Sequence, residues 1–133
     1  MSYVLDTNII TAILKGNNDV KTKAEDAILQ GEKIFINAIS YYEIKRGLLA
    51  ADATAQLKKF ELLCNEFGLV LPDTQHIFDT AAEIYKSLQQ KGELIGDADI
   101  LIASIVSFLG FTLVSNDSHF NRIQGLIIEN WLN

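Results

Sequence analysis

Short apolar runs alternate along this chain with longer segments whose apolar positions recur every three or four residues. The first pattern reads as buried strand and the second as amphipathic helix. Tyr3-Val4-Leu5 is the first run, and a helix with Ile9, Ile10, Ile13 and Leu14 follows at once, stopping near Gly16-Asn17-Asn18. Residues 19 to 30 predict a second helix, with Gly31 as its stop, and residues 33 to 37 a second strand of β-branched and aromatic character. Ser40 fits a helix N-cap with Glu43 three residues on, opening a helix from Tyr41 to about residue 51. A further helix runs from 54 to about 66, followed by a strand at 68 to 71 that ends at Pro72-Asp73. A long helix is expected over 74 to 90. Gly96-Asp97-Ala98-Asp99 then opens a helix apolar nearly all round from Ile100 to Leu109, which belongs in the interior. Strands at 112 to 115 and 126 to 129 close the pattern.

Strands alternating with helices at these spacings predict an α/β fold: a three-layer α/β/α sandwich around a central parallel sheet of four to five strands. The 133 residues are expected to form one domain, 1–133, burying about two-thirds of the unfolded surface. A content of 49% hydrophobic residues with a single proline excludes a disordered chain. The apolar runs fall short of the ~20 residues a bilayer span needs, and Met1-Ser2 leaves no room for a signal peptide before the first strand. Cys64, the single cysteine, sits among Leu62, Leu63 and Phe67 as a small core residue. The expectation is a cytoplasmic protein with no membrane partner.

The net charge of −6 argues at first against nucleic acid. Five of the 17 acids, however, are Asp6, Glu43, Asp97, Asp99 and Asp117, and the other 12 are nearly balanced by 11 bases. Each of the five has an ordinary explanation. Asp6 can cap a helix, and Glu43 can close a capping box with Ser40 or pair with Lys45 or Arg46. Asp97 and Asp99 suit a helix N-terminus, and Asp117 suits an Asx turn. Their shared position argues otherwise. Asp6 ends strand one, Asp117 ends strand four, Asp97 and Asp99 open the buried helix, and Glu43 lies one turn into the helix after strand two. In a parallel sheet these points share one rim. Two carboxylates ~4 Å apart repel by about 4 kcal/mol at an effective dielectric near 20. Such a cluster calls for protons or a hard cation, and Mg²⁺ with its retained waters suits hydrolysis of a phosphodiester.

Leu5-Asp6-Thr7-Asn8, Tyr42-Glu43-Ile44-Lys45-Arg46-Gly47, Gly96-Asp97-Ala98-Asp99 with Ile100 to Ala103, and Val114-Ser115-Asn116-Asp117 with Phe120 resemble the four motifs of PIN-domain ribonucleases. The stretch from Gly125 to Trp131 is similar to the C-terminal end of the VapC branch, the toxins of VapBC toxin–antitoxin pairs. The resemblance covers essentially the whole chain in order and spacing. It implies a Mg²⁺-dependent endoribonuclease, with Mn²⁺ as substitute, that inhibits translation and growth until a small VapB-like antitoxin neutralises it. It also implies a homodimer or a hetero-oligomer with that antitoxin. Residue by residue, it puts catalytic and metal-holding roles on Asp6, Glu43, Asp99 and Asp117, adds Asp97 as a metal contributor, and sets Thr7 and Asn116 beside the site to position water or substrate. Many relatives have Glu-Leu-Arg-Tyr-Gly where this chain has Glu43-Ile-Lys-Arg-Gly, so the bases are Lys45 and Arg46.

Lys45, Arg46 and Arg122 are the bases expected near the rim, where they would contact phosphates. His119 reads as a surface-loop histidine, because metal-assisted hydrolysis does not require an imidazole. Motifs for nucleotide switches, dinucleotides and zincins are missing. A phosphatase of the haloacid dehalogenase type wants a second acid where this chain has Asn8. The alternatives that stand are a non-toxin PIN nuclease in RNA processing and a non-enzymatic protein-binding module on the same fold.

Overall fold

The structure, a computed structural model, describes residues 1–132. Five parallel strands form one sheet in the order β3-β2-β1-β4-β5: β1 (Ser2–Leu5), β2 (Lys33–Asn37), β3 (Leu69–Val70), β4 (Thr112–Val114) and β5 (Ile128–Glu129). Leu5 pairs with Ile36 on one side and Val114 on the other, so β1 is the central strand. The helices are α1 (Thr7–Leu14), α2 (Asn18–Leu29), α3 (Ala38–Ala50), α4 (Thr54–Phe67), α5 (Gln75–Gln90) and α6 (Asp97–Leu109).

The period-two alternation of the strands divides the interior into two apolar layers. Tyr3 and Leu5, Ile34 and Ile36, and Val114 face the layer shared with Ile9, Ile10, Val20, Ile44 and Phe60 of α1 to α4. Val4 and Leu113 face the other layer, with Phe35 packed against it, and meet Ala81 and Leu88 of α5 and Ile102, Ala103 and Val106 of α6. Helices therefore cover both faces of the sheet, the expected three-layer arrangement. Complete burial of side chains such as Leu5, Ile36 and Leu113 stabilises the fold by about 1.5–3 kcal/mol each. The α6 helix is the interior helix expected: Ile100 and the unbroken run Ile102 to Val106 are buried. Within it Ser104 hydrogen-bonds the carbonyl of Ile77 on α5, satisfying a hydroxyl that would otherwise be stranded in the core. Gly110 ends α6 in the left-handed conformation, φ 69°, that glycine adopts without strain.

Three boundaries differ from those the sequence predicts. The α3 helix starts at Ala38 and is capped by Asn37, whose side chain accepts from the Ser40 N–H at 2.8 Å, so Ser40 lies inside the helix and does not cap it. β3 and β5 are only two residues long. Each pairs with a single neighbour, and an edge strand keeps ladder hydrogen bonds only where that neighbour reaches. Among the described residues no helix is long and apolar enough to cross a membrane.

Candidate active site

The chain lays β2 and β3 on one side of β1, then crosses back to lay β4 and β5 on the other. The strand order reverses between β1 and β4, and the crevice beyond their carboxyl ends is where ligands bind in open α/β sheets. Asp6 follows β1 directly, and Ser115, Asn116 and Asp117 follow β4. Topology thus brings residues more than a hundred positions apart to one rim.

Asp6 occupies the N-cap position of α1 yet makes no side-chain capping bond. Only 4% exposed, its Oδ2 accepts instead from the Ser115 hydroxyl at 2.8 Å. The same hydroxyl oxygen accepts from the Asp117 N–H at 3.0 Å, so Ser115 ties the two acids together. A second network orients Glu43. Asn37 Nδ2 donates to the Leu5 carbonyl at 2.9 Å and to Ser40 Oγ at 3.0 Å. Ser40 Oγ lies 2.8 Å from Thr7 Oγ1, and Thr7 Oγ1 donates to Glu43 Oε1 at 3.0 Å. Each hydroxyl has one proton, so Ser40 donates to Thr7 and the chain Asn37–Ser40–Thr7 ends on the carboxylate. Glu43 is held by Thr7 and closes no capping box with Ser40.

Asp99, half-buried in the first turn of α6, Asp117 and His119 each present a ligand atom, and these atoms lie within 4.8 Å of one another. His119 is exposed, but its Nδ1 is 3.3 Å from Asp117 Oδ1, and its backbone N–H donates to that oxygen at 2.9 Å to cap the 3-10 turn Ser118–Arg122. Asp6 and Glu43 lie outside this trio, as does Asp97, which is exposed at the start of α6. Asn116 Oδ1 faces Asn8 Nδ2 at 3.5 Å, the outer limit of a hydrogen bond. Lys45 turns away, donating to the Tyr41 hydroxyl at 3.0 Å, and Arg46 lies exposed over the Tyr42 ring. Arg122 donates to the Glu93 and Leu94 carbonyls, which ties the 3-10 turn to the loop before α6. The rim is therefore built from acids and small polar groups. Asn37, Ser40 and Ser115, all buried, are its unpredicted members.

Burial pushes the Asp99 carboxyl up to about 6, and the charges of Asp6, Asp117 and Glu43 push the same way, opposed more weakly by His119. Burial also raises Asp6, opposed by the Ser115 hydroxyl and Thr7 N–H and reinforced by Asp117 and Glu43. Among the described residues no lysine or arginine lies within ion-pair distance of a carboxylate, so neither neutralises the cluster. Carboxylates gathered at one rim with no lysine or arginine among them fit a hard divalent cation.

The crowding has a measurable cost. A carboxyl that binds its proton more tightly folded than unfolded destabilises the fold as pH rises from about 4 through 6, and the penalty is complete above that. In a dry site it would be about 3 kcal/mol; solvent screens half-buried Asp99, and about 1 kcal/mol is expected. Asp99→Asn should therefore raise the melting temperature by a few degrees at pH 7.5 in chelator, with the gain vanishing near pH 4. Thermal melts across that range check it, and an unchanged or lower value at pH 7.5 would count against the electrostatic picture.

Known proteins carry the same arrangement of chain. The PIN domain family profile matches residues 3–126. Ribonuclease VapC2 of Rickettsia felis is 30% identical over 133 residues, covering 98% of each chain. Ribonuclease VapC1 of Haemophilus influenzae is 27% identical over 133 residues, again with 98% of each covered. Among solved structures, VapBC2 from Rickettsia felis bound to a DNA fragment from their promoter superposes with a TM-score of 0.89 at 28% identity, covering 98% of this chain and 99% of that one. VapBC-1 from nontypeable Haemophilus influenzae gives 0.88 at 24% identity with both chains fully covered, a likeness of fold. By profile and by relatives along nearly its whole length, the chain belongs to the PIN-domain family, on the branch of the VapC ribonucleases.

Proposed function

We propose that this chain is a metal-dependent endoribonuclease, the toxin of a type II toxin–antitoxin pair, which hydrolyses RNA and arrests growth until a small VapB-like antitoxin binds it. The observation that carries the reading is the acid-lined β1/β4 rim, where Asp99 and Asp117 present ligand atoms within 4.8 Å, Ser115 links Asp6 to Asp117 and Thr7 holds Glu43, with no lysine or arginine among them. Relatives named as VapC ribonucleases along 98% of the chain, and a VapBC complex of the same fold, support the substrate and the partner.

In this reading Asp6, Glu43, Asp99 and Asp117 hold the cation, Mg²⁺ with Mn²⁺ as substitute, and Asp97 contributes from the exposed start of α6. When bound, a divalent ion stabilises charge on the attacked phosphate and makes water acidic enough to serve as nucleophile at neutral pH. The chain's own work is orientation. Ser115 fixes Asp6, and Thr7 fixes Glu43, so both carboxylates are set before any ligand arrives. Thr7 and Asn116 stand beside them, placed for water or substrate. Of the two bases on α3, Arg46 is the one free to meet RNA phosphate, because Lys45 is engaged with Tyr41. A homodimer, or a hetero-oligomer with the antitoxin, is the expected assembly.

Total RNA incubated with the purified chain and Mg²⁺ tests the activity. Discrete fragments are expected, and RNA left intact by folded protein would overturn the proposal.

A further inference from the structure

We propose that His119 is a ligand of the cation held by Asp99 and Asp117, and that it moves the site's preference from Mg²⁺ toward Mn²⁺ and the later first-row metals. The inference rests on the metal-dependent reading above and deepens it by assigning the site a nitrogen donor.

Geometry carries it. Ligand atoms of Asp99, Asp117 and His119 all lie within 4.8 Å of one another. Ligands about 2.0–2.2 Å from one ion stand at most about 4.4 Å apart, so a small adjustment of side chains brings the three into one shell. The histidine is also held in place. Its backbone N–H donates to Asp117 Oδ1 at 2.9 Å, its ring Nδ1 lies 3.3 Å from the same oxygen, and the next residue, Phe120, is fully buried and anchors the turn to the core. Packing does not account for the ring's position, because the His119 side chain is 52% exposed. The other histidine, His76, instead packs near the Phe108 ring at 5.5 Å. An exposed ring held beside two carboxylates is accessible to an ion from solvent.

The chemistry gives the consequence. Mg²⁺ takes oxygen donors and keeps its waters, and gains little from an imidazole. Affinity of nitrogen-containing sites rises from Mn²⁺ through Co²⁺, and imidazole suits these later ions better than the all-oxygen set does. A site of carboxylates with one imidazole therefore discriminates among divalent ions in a way that carboxylates alone do not.

Pulsed electron paramagnetic resonance of the whole chain loaded with Mn²⁺ tests this without reference to catalysis. Modulation from a directly bound imidazole ¹⁴N is expected in the wild type and in His76→Ala, and its loss is expected in His119→Ala. In parallel titrations His119→Ala should weaken Co²⁺ binding at least about tenfold and change Mg²⁺ binding by less than about twofold. Mn²⁺ bound with no ¹⁴N modulation would overturn the inference and leave the carboxylate site standing. Modulation that persists in His119→Ala would do the same. Absence of Mn²⁺ binding by the wild type would overturn both readings. Because the chain has only two histidines, the wild-type and His76→Ala spectra decide the matter even if His119→Ala fails to fold.

Discussion

Asp6→Asn should leave a folded protein whose Mg²⁺-dependent RNA cleavage is lost. The substitution keeps the shape, and an amide oxygen can still accept the Ser115 hydroxyl that now bonds Asp6 Oδ2 at 2.8 Å. It removes a charge from a side chain that is only 4% exposed, so the metal-free fold loses a desolvated carboxylate and should melt no lower than the parent. What it takes away is the most buried acid of the cluster. Loss of an outer partner of a metal ligand typically costs 10–100-fold, and loss of a proposed ligand should cost at least about 100-fold in cleavage rate. Rates measured on one RNA preparation, with circular dichroism to confirm the fold, check the expectation. Equal rates for mutant and parent would remove Asp6 from the site.

The second large effect is on cells. Expression of the chain alone should halt growth, and co-expression of a small protein encoded beside it should restore growth. Asp6→Asn expressed to the same level should be harmless, which ties the arrest to the acids and not to protein load. Growth curves of the three strains read the outcome. A chain active on RNA in vitro yet harmless in cells would indicate a PIN nuclease of RNA processing. A chain whose cellular effect survives Asp6→Asn would indicate a binding module on the same fold.

The sandwich is legible in the sequence because strand and helix periodicities are strong, and a shared rim follows from alternating parallel strands; that β1 neighbours β4, which locates the crevice, is seen only in the structure. The acids' shared rim is legible for the same reason: Asp6 and Asp117 follow strands, Asp97 and Asp99 open a helix, and Glu43 lies in the helix after β2. What orients them is not. Asn37, Ser40 and Ser115 are ordinary cap and turn residues by type, and their burial depends on neighbours contributed by distant segments. The signal that was available is a polar residue at the end of each buried strand, Asn37 after Phe35-Ile36 and Ser115 after Leu113-Val114. The Ser-x-x-Glu spacing makes Ser40 a cap candidate, but Asn37 caps the helix three residues earlier by accepting from the Ser40 N–H, and the serine hydroxyl meets Thr7. Nearness to Glu43 in sequence predicts Lys45 at the rim. Two residues along a helix are about 200° apart, so it points to Tyr41 on another side of α3. Asp97 and Asp99 face different surroundings for the same reason, and Asp99 is the one turned inward.

The central claim is that the acids act through a divalent cation to cut RNA. Cleavage sites mapped on total RNA with Mg²⁺, with chelator, and with Mg²⁺ restored after chelation test it most directly. The account predicts discrete cuts with Mg²⁺, none with chelator, and the same cuts on restoration; cuts that persist unchanged in chelator would contradict it.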